Sequence, residues 1–540
     1  MSTSLNIKNF ISSFIFSIVT LSSMAQTSVG NEEVIIIKEH DARIKDAAKI
    51  NVSPILPSIE EKAPNLDYRI PTKDFKDIAV EALPMRPIAL PKEKLERFNA
   101  SYIKLGFGSQ LSPLAELVYN GKGKNIKYGV DFSHFNALPF DIKNQRFFDD
   151  KVGAYFKAYP STYVVGVDFK FQNRINHFYG NQKTETLSRK QIKQTFQDFD
   201  ANVFFGSNKK NDLGIDFLTR VRFDYFRELA GKSNEYFVNG YFQMGKQITP
   251  IHAVSGSFEY DGSNYITTAQ KLWRNYFLLG LKYNVTYKDV VGHAGITLAV
   301  EGDKAYALPD IYLQKGLYEK YLTAYVGWKI NYQKNTFRNF ALENNFINSE
   351  IVLKNARTSD LYAGLKGAIG DFSYNAMFSF KNVANQAFYY NDYFDSKRFY
   401  IAYDPKMRVL NGKLELGYNF TNSFSAFIAF DYNHYKLTTN AKAWYRPDFK
   451  TDVKLRYNIK EKFIVGAELY AFTAYFGHVN TSEIRTIKGT ADANISLEYI
   501  FNKRFSFFGY LNNIAHQKYQ RWANYPVFGV NGLVGAKFSF

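Results

Sequence analysis

From about residue 99 to Phe540, apolar and polar residues alternate one for one in runs separated by turn residues. A period of two marks β-strands with one apolar face. In one run Tyr163, Val165, Val167, Phe169 and Phe171 fall on one side, and Gly166, Asp168, Lys170 and Gln172 on the other. Leu414, Leu416, Tyr418 and Phe420 likewise oppose Lys413, Glu415, Gly417 and Asn419. The pattern recurs where Val453, Leu455, Tyr457 and Ile459 oppose Asp452, Lys454, Arg456 and Asn458, and where Ala491, Ala493, Ile495, Leu497 and Tyr499 oppose Asp492, Asn494, Ser496 and Glu498. A soluble sandwich alternates too, in strands of about 5 to 6 residues. Many runs here approach the roughly 9 to 11 residues that a tilted strand needs to cross a bilayer. An open sheet edge in hydrocarbon leaves N–H and C=O groups unpaired at about several kcal/mol each, so the sheet is expected to close. The pattern therefore predicts an all-β fold, a large closed antiparallel transmembrane β-barrel of about 22 strands.

Turn chemistry at Asn120-Gly121, Asp261-Gly262, Asn411-Gly412 and the polar run Ser207 to Asn211 predicts tight connections between strands. The longer polar stretches Arg174 to Lys190 and Thr336 to Thr358 read as loops outside the membrane. Aromatic residues make up 17% of the chain while mean hydropathy is only -0.30. A membrane barrel reconciles the two, because aromatic girdles and an apolar exterior stand against a polar lumen. Trp273, Trp328, Trp444 and Trp522 are candidate girdle residues, with a rim loop as the alternative for Trp522, which lies in a polar stretch after Lys518. Cysteine is absent, which excludes disulfides, thiolate metal sites, a cysteine nucleophile and a cysteine-linked lipid anchor.

The first hundred residues follow other rules. MSTSLNIKNFISSFIFSIVTLSSMAQ has a cation at Lys8, an apolar run from Phe10 to Leu21 and a small-residue site at Ser23-Met24-Ala25, the layout of a signal peptide covering residues 1–25 and cleaved near Ala25. Residues 26–98 hold seven of the 15 prolines and keep no sustained period, so they read as an extended periplasmic segment without a packed core. Within them Glu32 to Lys38 spells EEVIIIK, a short β-prone run. Residues 99–540 are then the outer-membrane barrel.

The final strand sets Val534, Ala536, Phe538 and Phe540 against Gly535, Lys537 and Ser539 and ends on an aromatic residue. An aromatic end on an alternating strand resembles the assembly signal of outer-membrane barrels, with Phe538 and Phe540 as its residues, and implies the β-barrel assembly machinery as a partner. The stretch YLNNIAHQKYQRWANYPVFGVNGLVGAKFSF resembles the closing hairpin of TonB-dependent receptors of the Bacteroidetes. Leu511, Asn512, Asn513, Tyr519, Tyr525, Pro526, Gly529, Gly535, Phe538 and Phe540 carry that resemblance. It implies a receptor-like barrel in the cell outer membrane. EEVIIIK is similar to the apolar box by which such receptors pair, strand to strand, with an energising TonB-type periplasmic protein, which makes Val34, Ile35, Ile36 and Ile37 the candidate contact. Family receptors place a globular plug between box and barrel. Residues 38–98 are too short and too proline-rich for one, so the barrel is expected to be plugless.

The net charge of +18 raises nucleic acid as a partner, but the cations are spread through alternating strands and form no basic block, so none is expected. Lys170, Lys413, Lys454, Arg456 and Lys537, with Asp168, Glu415, Asp452 and Glu498, fall on the lumen side, where they tune solute preference or pair with one another. The eight histidines are scattered without metal-ligand spacing, and no nucleophile elbow, phosphate loop or zinc-protease helix occurs. No metal, cofactor or enzyme activity is expected. Three functions remain: transport of an unidentified solute across the outer membrane by a TonB-dependent-receptor-like barrel, a non-transporting accessory subunit of an outer-membrane complex, and a passive porin.

Overall fold

The computed structural model of the protein describes residues 101–139, 141–180, 188–208, 214–392, 397–479 and 483–540. The signal sequence, the proline-rich segment and Val34, Ile35, Ile36 and Ile37 lie outside the described residues.

The wall opens with β1 (Tyr102–Gly108), β2 (Ser112–Lys122), β3 (Ile126–Ala137), β4 (Phe147–Ala158) and β5 (Tyr163–His177). It continues through β6 (Lys193–Ser207), β7 (Ile215–Glu228), β8 (Ser233–Gln247), β9 (His252–Ile266), β10 (Lys271–Tyr287) and β11 (Val290–Glu301). Next come β12 (Lys304–Tyr318), β13 (Leu322–Gln333), β14 (Ala356–Ile369), β15 (Phe372–Asn391), β16 (Phe399–Thr421) and β17 (Phe424–Lys436). After β18 (Phe449–Ile459) and β19 (Phe463–Phe472), a small hairpin of β20 (Tyr475–His478) and β21 (Ile484–Ile487) sits in a connection. β22 (Thr490–Ile500) and β23 (Phe505–Asn512) follow, then a second small hairpin, β24 (Gln520–Trp522) and β25 (Tyr525–Pro526), and finally β26 (Asn531–Ser539). Apart from the two hairpins, these strands form one 22-stranded antiparallel sheet in which each pairs with its neighbour along the chain. Its ends meet. β1 pairs with β26 from Tyr102↔Ser539 to Gly108↔Leu533, and Phe540 N–H donates to Ser101 O at 3.0 Å. Closure pairs the backbone groups that an open edge would leave bare, as the alternation predicts.

The apolar residues point outward. Tyr163, Val165 and Val167 are exposed while Gly166 between them is buried, and Val534 and Leu281 show 68% and 65% of their surface. Such a face is stable only against a non-aqueous neighbour. Toward the rim where β1 begins and β26 ends, aromatic rings pack from strand to strand: Phe420 with Phe424 (4.7 Å), Phe424 with Tyr457 (5.6 Å), Phe463 with Tyr499 (4.7 Å) and Phe505 with Phe538 (4.7 Å). Phe538 and Phe540 belong to this band, 5.8 Å apart between ring centres. Connections at that rim are short, as at 288–289 and 370–371, whereas 334–355, 437–448, 473–489 and 513–530 bridge the opposite, outer rim. Among the described residues two short helices stand in the connections at that second rim, α1 (Arg189–Ile192) and α2 (Phe337–Glu343).

Three expected turns are strand interior. Asn120-Gly121 lies in β2, Asp261-Gly262 in β9 and Asn411-Gly412 in β16. In each the Asn or Asp finds a partner across the lumen wall instead of bonding its own backbone. Asn120 Oδ1 accepts from Tyr155 at 2.8 Å, Asp261 pairs with Lys334, and Asn411 Nδ2 donates to Asp431 at 2.6 Å. The turn expected over Ser207 to Asn211 is described only to Asn208, where β6 has just ended, and Arg174 to His177 and Ala356 to Thr358 are strand, not loop. Trp273 stands on the outer face, 64% exposed, and Trp328 donates its N–H to Ser359 Oγ at 3.0 Å. Trp444 and Trp522 are instead buried against residues of β15 and β16, Trp444 beside Tyr390 and Trp522 beside Tyr389 and Phe399, where packing offers more apolar contact than an interface would.

At the seam Gly106 faces Gly535, and a Cβ on Gly535 would collide with the Leu105 carbonyl and the Phe508 ring. A Gly535→Val variant is therefore expected to lose about 1–3 kcal/mol of barrel stability, read as a lowered temperature for the heat-modifiable gel shift. Gly240→Val, where an added Cβ meets open space, should leave that temperature unchanged.

Candidate functional site

The bore is crossed by the chain's own connection between β13 and β14, residues 334–355. Its sequence folds it inward. Thr336 Oγ1 accepts from Asn339 N–H at 3.0 Å and starts α2, and Phe337, Phe340 and Ala341, spaced i, i+3, i+4, give that helix one buried apolar face. Phe337 packs on Phe226 of β7 (5.7 Å) and Tyr265 of β9 (5.3 Å), whereas Phe340 meets Tyr389 of β15 (6.1 Å). Beyond the helix, Gln194 of β6 donates to Ile347 O at 3.2 Å. One residue either side, Phe399 of β16 donates to Phe346 O (2.9 Å) and accepts from Asn348 N–H (2.6 Å). β6 and β16 stand ten places apart (16 − 6) in a ring of 22, close to diametrically opposite. Residues 346–348, at most about 10 Å of extended chain, thus tie the two sides together where the ends of β6 and β16 converge over the mouth.

Buried charges on the wall anchor the crossing. The Arg338 guanidinium forms a two-pronged pair with Asp198 of β6 (2.6 to 3.0 Å), and its backbone N–H donates to Glu235 of β8 at 2.9 Å. Lys334 pairs with Asp261 between the rings of Phe237 (4.9 Å) and Tyr276 (5.0 Å). Arg274 of β10 donates to Asn335 O and to Asn355, so one guanidinium holds both ends of the loop. Further along, Thr267 and Thr268 donate to Glu350 at 2.7 and 2.9 Å, Gln270 to Ile351 O at 3.1 Å, and Tyr403 to Val352 O at 2.9 Å. Ions this far from water depend on their partners, so each pair fixes the loop in one place.

Neighbouring connections cover the crossing with aromatic rings. Tyr525 stacks on Phe346 at 3.7 Å and 14°, and its hydroxyl donates to Lys397 O. Trp522 meets Tyr389 at 4.8 Å and Phe399 at 5.6 Å. Tyr179 donates to Pro526 O at 3.0 Å, and burial pushes its hydroxyl up to about 12. Inward of this cap the lumen wall is polar and paired with itself: Lys282 and His293 with Asp310 (2.5 and 3.0 Å), Arg222 with Asp200 and Asp224 (2.5 and 2.9 Å), Lys413 with Glu415 (2.8 Å), Lys454 with Glu468 (3.8 Å).

Of the residues singled out in the sequence, Lys413 and Glu415 do pair with each other, Asp168 accepts from Asn202 (2.8 Å), and Glu498 accepts from Ser506 (2.6 Å). Among the described residues no cluster of His, Asp and Glu is arranged to hold a metal ion. In the sequence pattern the mouth-crossing segment is marked only as a polar loop. The spacing of Phe337, Phe340 and Ala341 after Thr336 was the signal for a capped amphipathic turn.

The barrel is similar in fold to several solved iron and siderophore receptors. The iron transporter FrpB from Neisseria meningitidis superimposes with a TM-score of 0.65 at 10% identity, over 82% of this chain and 81% of that one. For the ferric enterobactin receptor PfeA from Pseudomonas aeruginosa the values are 0.64, 10%, 82% and 80%. For the ferric-catecholate import receptor Fiu from E. coli K12 they are 0.63, 11%, 82% and 82%. No protein-family model matches the chain, and no curated protein matches it.

Replacing Arg338 by Ala leaves Asp198 buried without its partner, a loss of about 3–5 kcal/mol. The amides of 337–351 are then expected to exchange with deuterium about a hundred-fold faster or more, while those of β6 and β16 keep their rates. Unchanged exchange in the loop would show that the pair does not hold it.

Proposed function

We propose that the protein is a TonB-dependent-receptor-like barrel of the outer membrane that carries an unidentified solute through its lumen. The observation that carries this reading is the loop across the mouth of a closed 22-stranded barrel. A bore of that size, left open, would be a water-filled channel, and a crossing held by buried ion pairs weighs against a passive porin. The likeness in fold to iron and siderophore receptors supports the same reading. In this orientation the short turns and both chain ends face the periplasm, and the aromatic cap faces outward. Residues 1–25 act as a signal peptide cleaved near Ala25, residues 26–98 form a periplasmic segment without a plug, and residues 99–540 are the barrel. Val34, Ile35, Ile36 and Ile37 pair with a TonB-type protein, and Phe538 and Phe540 are read by the assembly machinery during insertion.

A second reading keeps the barrel and drops the transport, making it an accessory subunit tethered through residues 26–98. The number of wall groups that hold the loop at both ends favours it, because so many ties suit a static lid.

Growth of a strain lacking the protein on single iron and nutrient sources, complemented by the full chain or by one lacking Val34 to Ile37, separates the two. Transport predicts that one source is lost, that the full chain restores it, and that the shortened chain takes it up about ten-fold more slowly or worse. Full restoration by the shortened chain would remove the energised route. Dependence on no source, with a companion recovered in equal amount from detergent-solubilised membranes, would replace transport by the accessory role.

A further inference from the structure

On the outer face of β14 to β17 the apolar surface is interrupted. Gly412 leaves a gap in β16, where an added Cβ would have nothing within 4 Å, and its neighbours Ala376 and Ala363 are nearly as short. Phe378 and Tyr432, the cross-strand partners of Gly412 on either side, stand up as walls, and Leu414 and Phe430 continue them. Together they enclose an apolar depression of about 390 Å³ that opens away from the barrel.

Four residues nearer the outer rim, Arg408 and Lys436 lie directly opposite each other, both exposed. His434 stands one pair below them, opposite Leu410. Directly opposed residues on antiparallel strands share a face with Cβ atoms about 4.5–5.5 Å apart, a placement in which like charges destabilise the sheet. Among the described residues neither cation has an ion-pair partner. Their height is that of a membrane interface. Tyr418, in the aromatic band near the other rim, is ten residues (418 − 408) along β16, which at about 3.4 Å per residue and a tilt of about 40° is roughly 26 Å, the thickness of the apolar band of such barrels. The same cross-strand row runs through Asn382 to Ser359, the hydroxyl that Trp328 holds.

We propose that this face binds one phosphorylated, acylated lipid of the outer leaflet, with phosphate oxygens between Arg408 and Lys436 and an acyl chain in the depression over Gly412. An anion between the two cations turns their repulsion into two charge-assisted contacts. The four residues that separate them from Gly412 amount to about 10 Å along the membrane normal, the step from a headgroup phosphate into the upper acyl chain. The proposal rests on the outer-membrane orientation given above and is independent of what the lumen carries.

Purified full-length chain in phosphatidylcholine nanodiscs doped with diphosphorylated lipid A, weighed by native mass spectrometry, reads the retained lipid directly. The unaltered chain is expected to retain lipid A about ten-fold more than either an Arg408→Ser/Lys436→Ser variant, which lacks the cations, or Gly412→Leu, which fills the depression. Dephosphorylated lipid A should be retained as poorly as the double variant retains the intact lipid. Equal retention by all three chains, or retention of phosphatidylglycerol in place of lipid A, overturns the proposal. The heat-modifiable gel shift checks that each variant is folded. A chain that does not enter the discs refutes the membrane reading itself, whereas one that enters and retains no lipid A refutes only this site.

Discussion

In hydrocarbon a backbone N–H or C=O has no water to turn to, and the whole architecture depends on that constraint. It requires each strand to have two neighbours, so β1 and β26 must meet although they lie at opposite ends of the described chain. The meeting is made possible by small residues. Gly106 and Gly535 face each other at the seam and leave room for Leu533 and Phe508, while Lys104 lies beneath with Glu116 at 3.6 Å and the Phe508 ring at 4.8 Å. The outer side of the closed ring then needs only to be apolar, and the inner side only to satisfy its own polar groups.

Closing so many strands creates a second problem, because side chains from the wall cannot fill so wide an interior. The protein answers with its own connections. Residues 334–355 turn in across the mouth, the loops carrying Trp522, Tyr525 and Trp444 cover them, and the buried charges of the upper wall hold the assembly. Two kinds of force share the work. Aromatic packing supplies area without fixing a position, and the ion pairs at Arg338 and Lys334 fix the position at a desolvation cost that the packing offsets.

How much of this was legible in the sequence follows from the range of each interaction. Alternation is local, so Tyr163 to Phe171 or Ala491 to Tyr499 announced both their strands and their outward faces, and the number of such runs gave a barrel of the right size. The Asn-Gly and Asp-Gly pairs misled because their partners are not local. Asp261 meets Lys334 and Asn411 meets Asp431, contacts between residues 73 and 20 positions apart that exist only once the sheet has brought them together. Trp444 misled for the same reason, since a tryptophan in a loop and one at an interface have the same neighbours in sequence, whereas the polar stretch after Lys518 marked the rim-loop alternative for Trp522. The crossing of the bore joins residues as far apart as Gln194, Ile347 and Phe399, and only the short helix within it left a mark in the local pattern.

The claim that ties these features together is that residues 334–355 obstruct an otherwise continuous bore, and ion conductance across a planar bilayer tests it most directly. The full chain is expected to pass little current, and a chain in which 337–351 is replaced by a short glycine-serine link is expected to conduct as a wide pore at the same protein density. A full chain that conducts freely, or a shortened one that inserts and stays silent, would contradict the account.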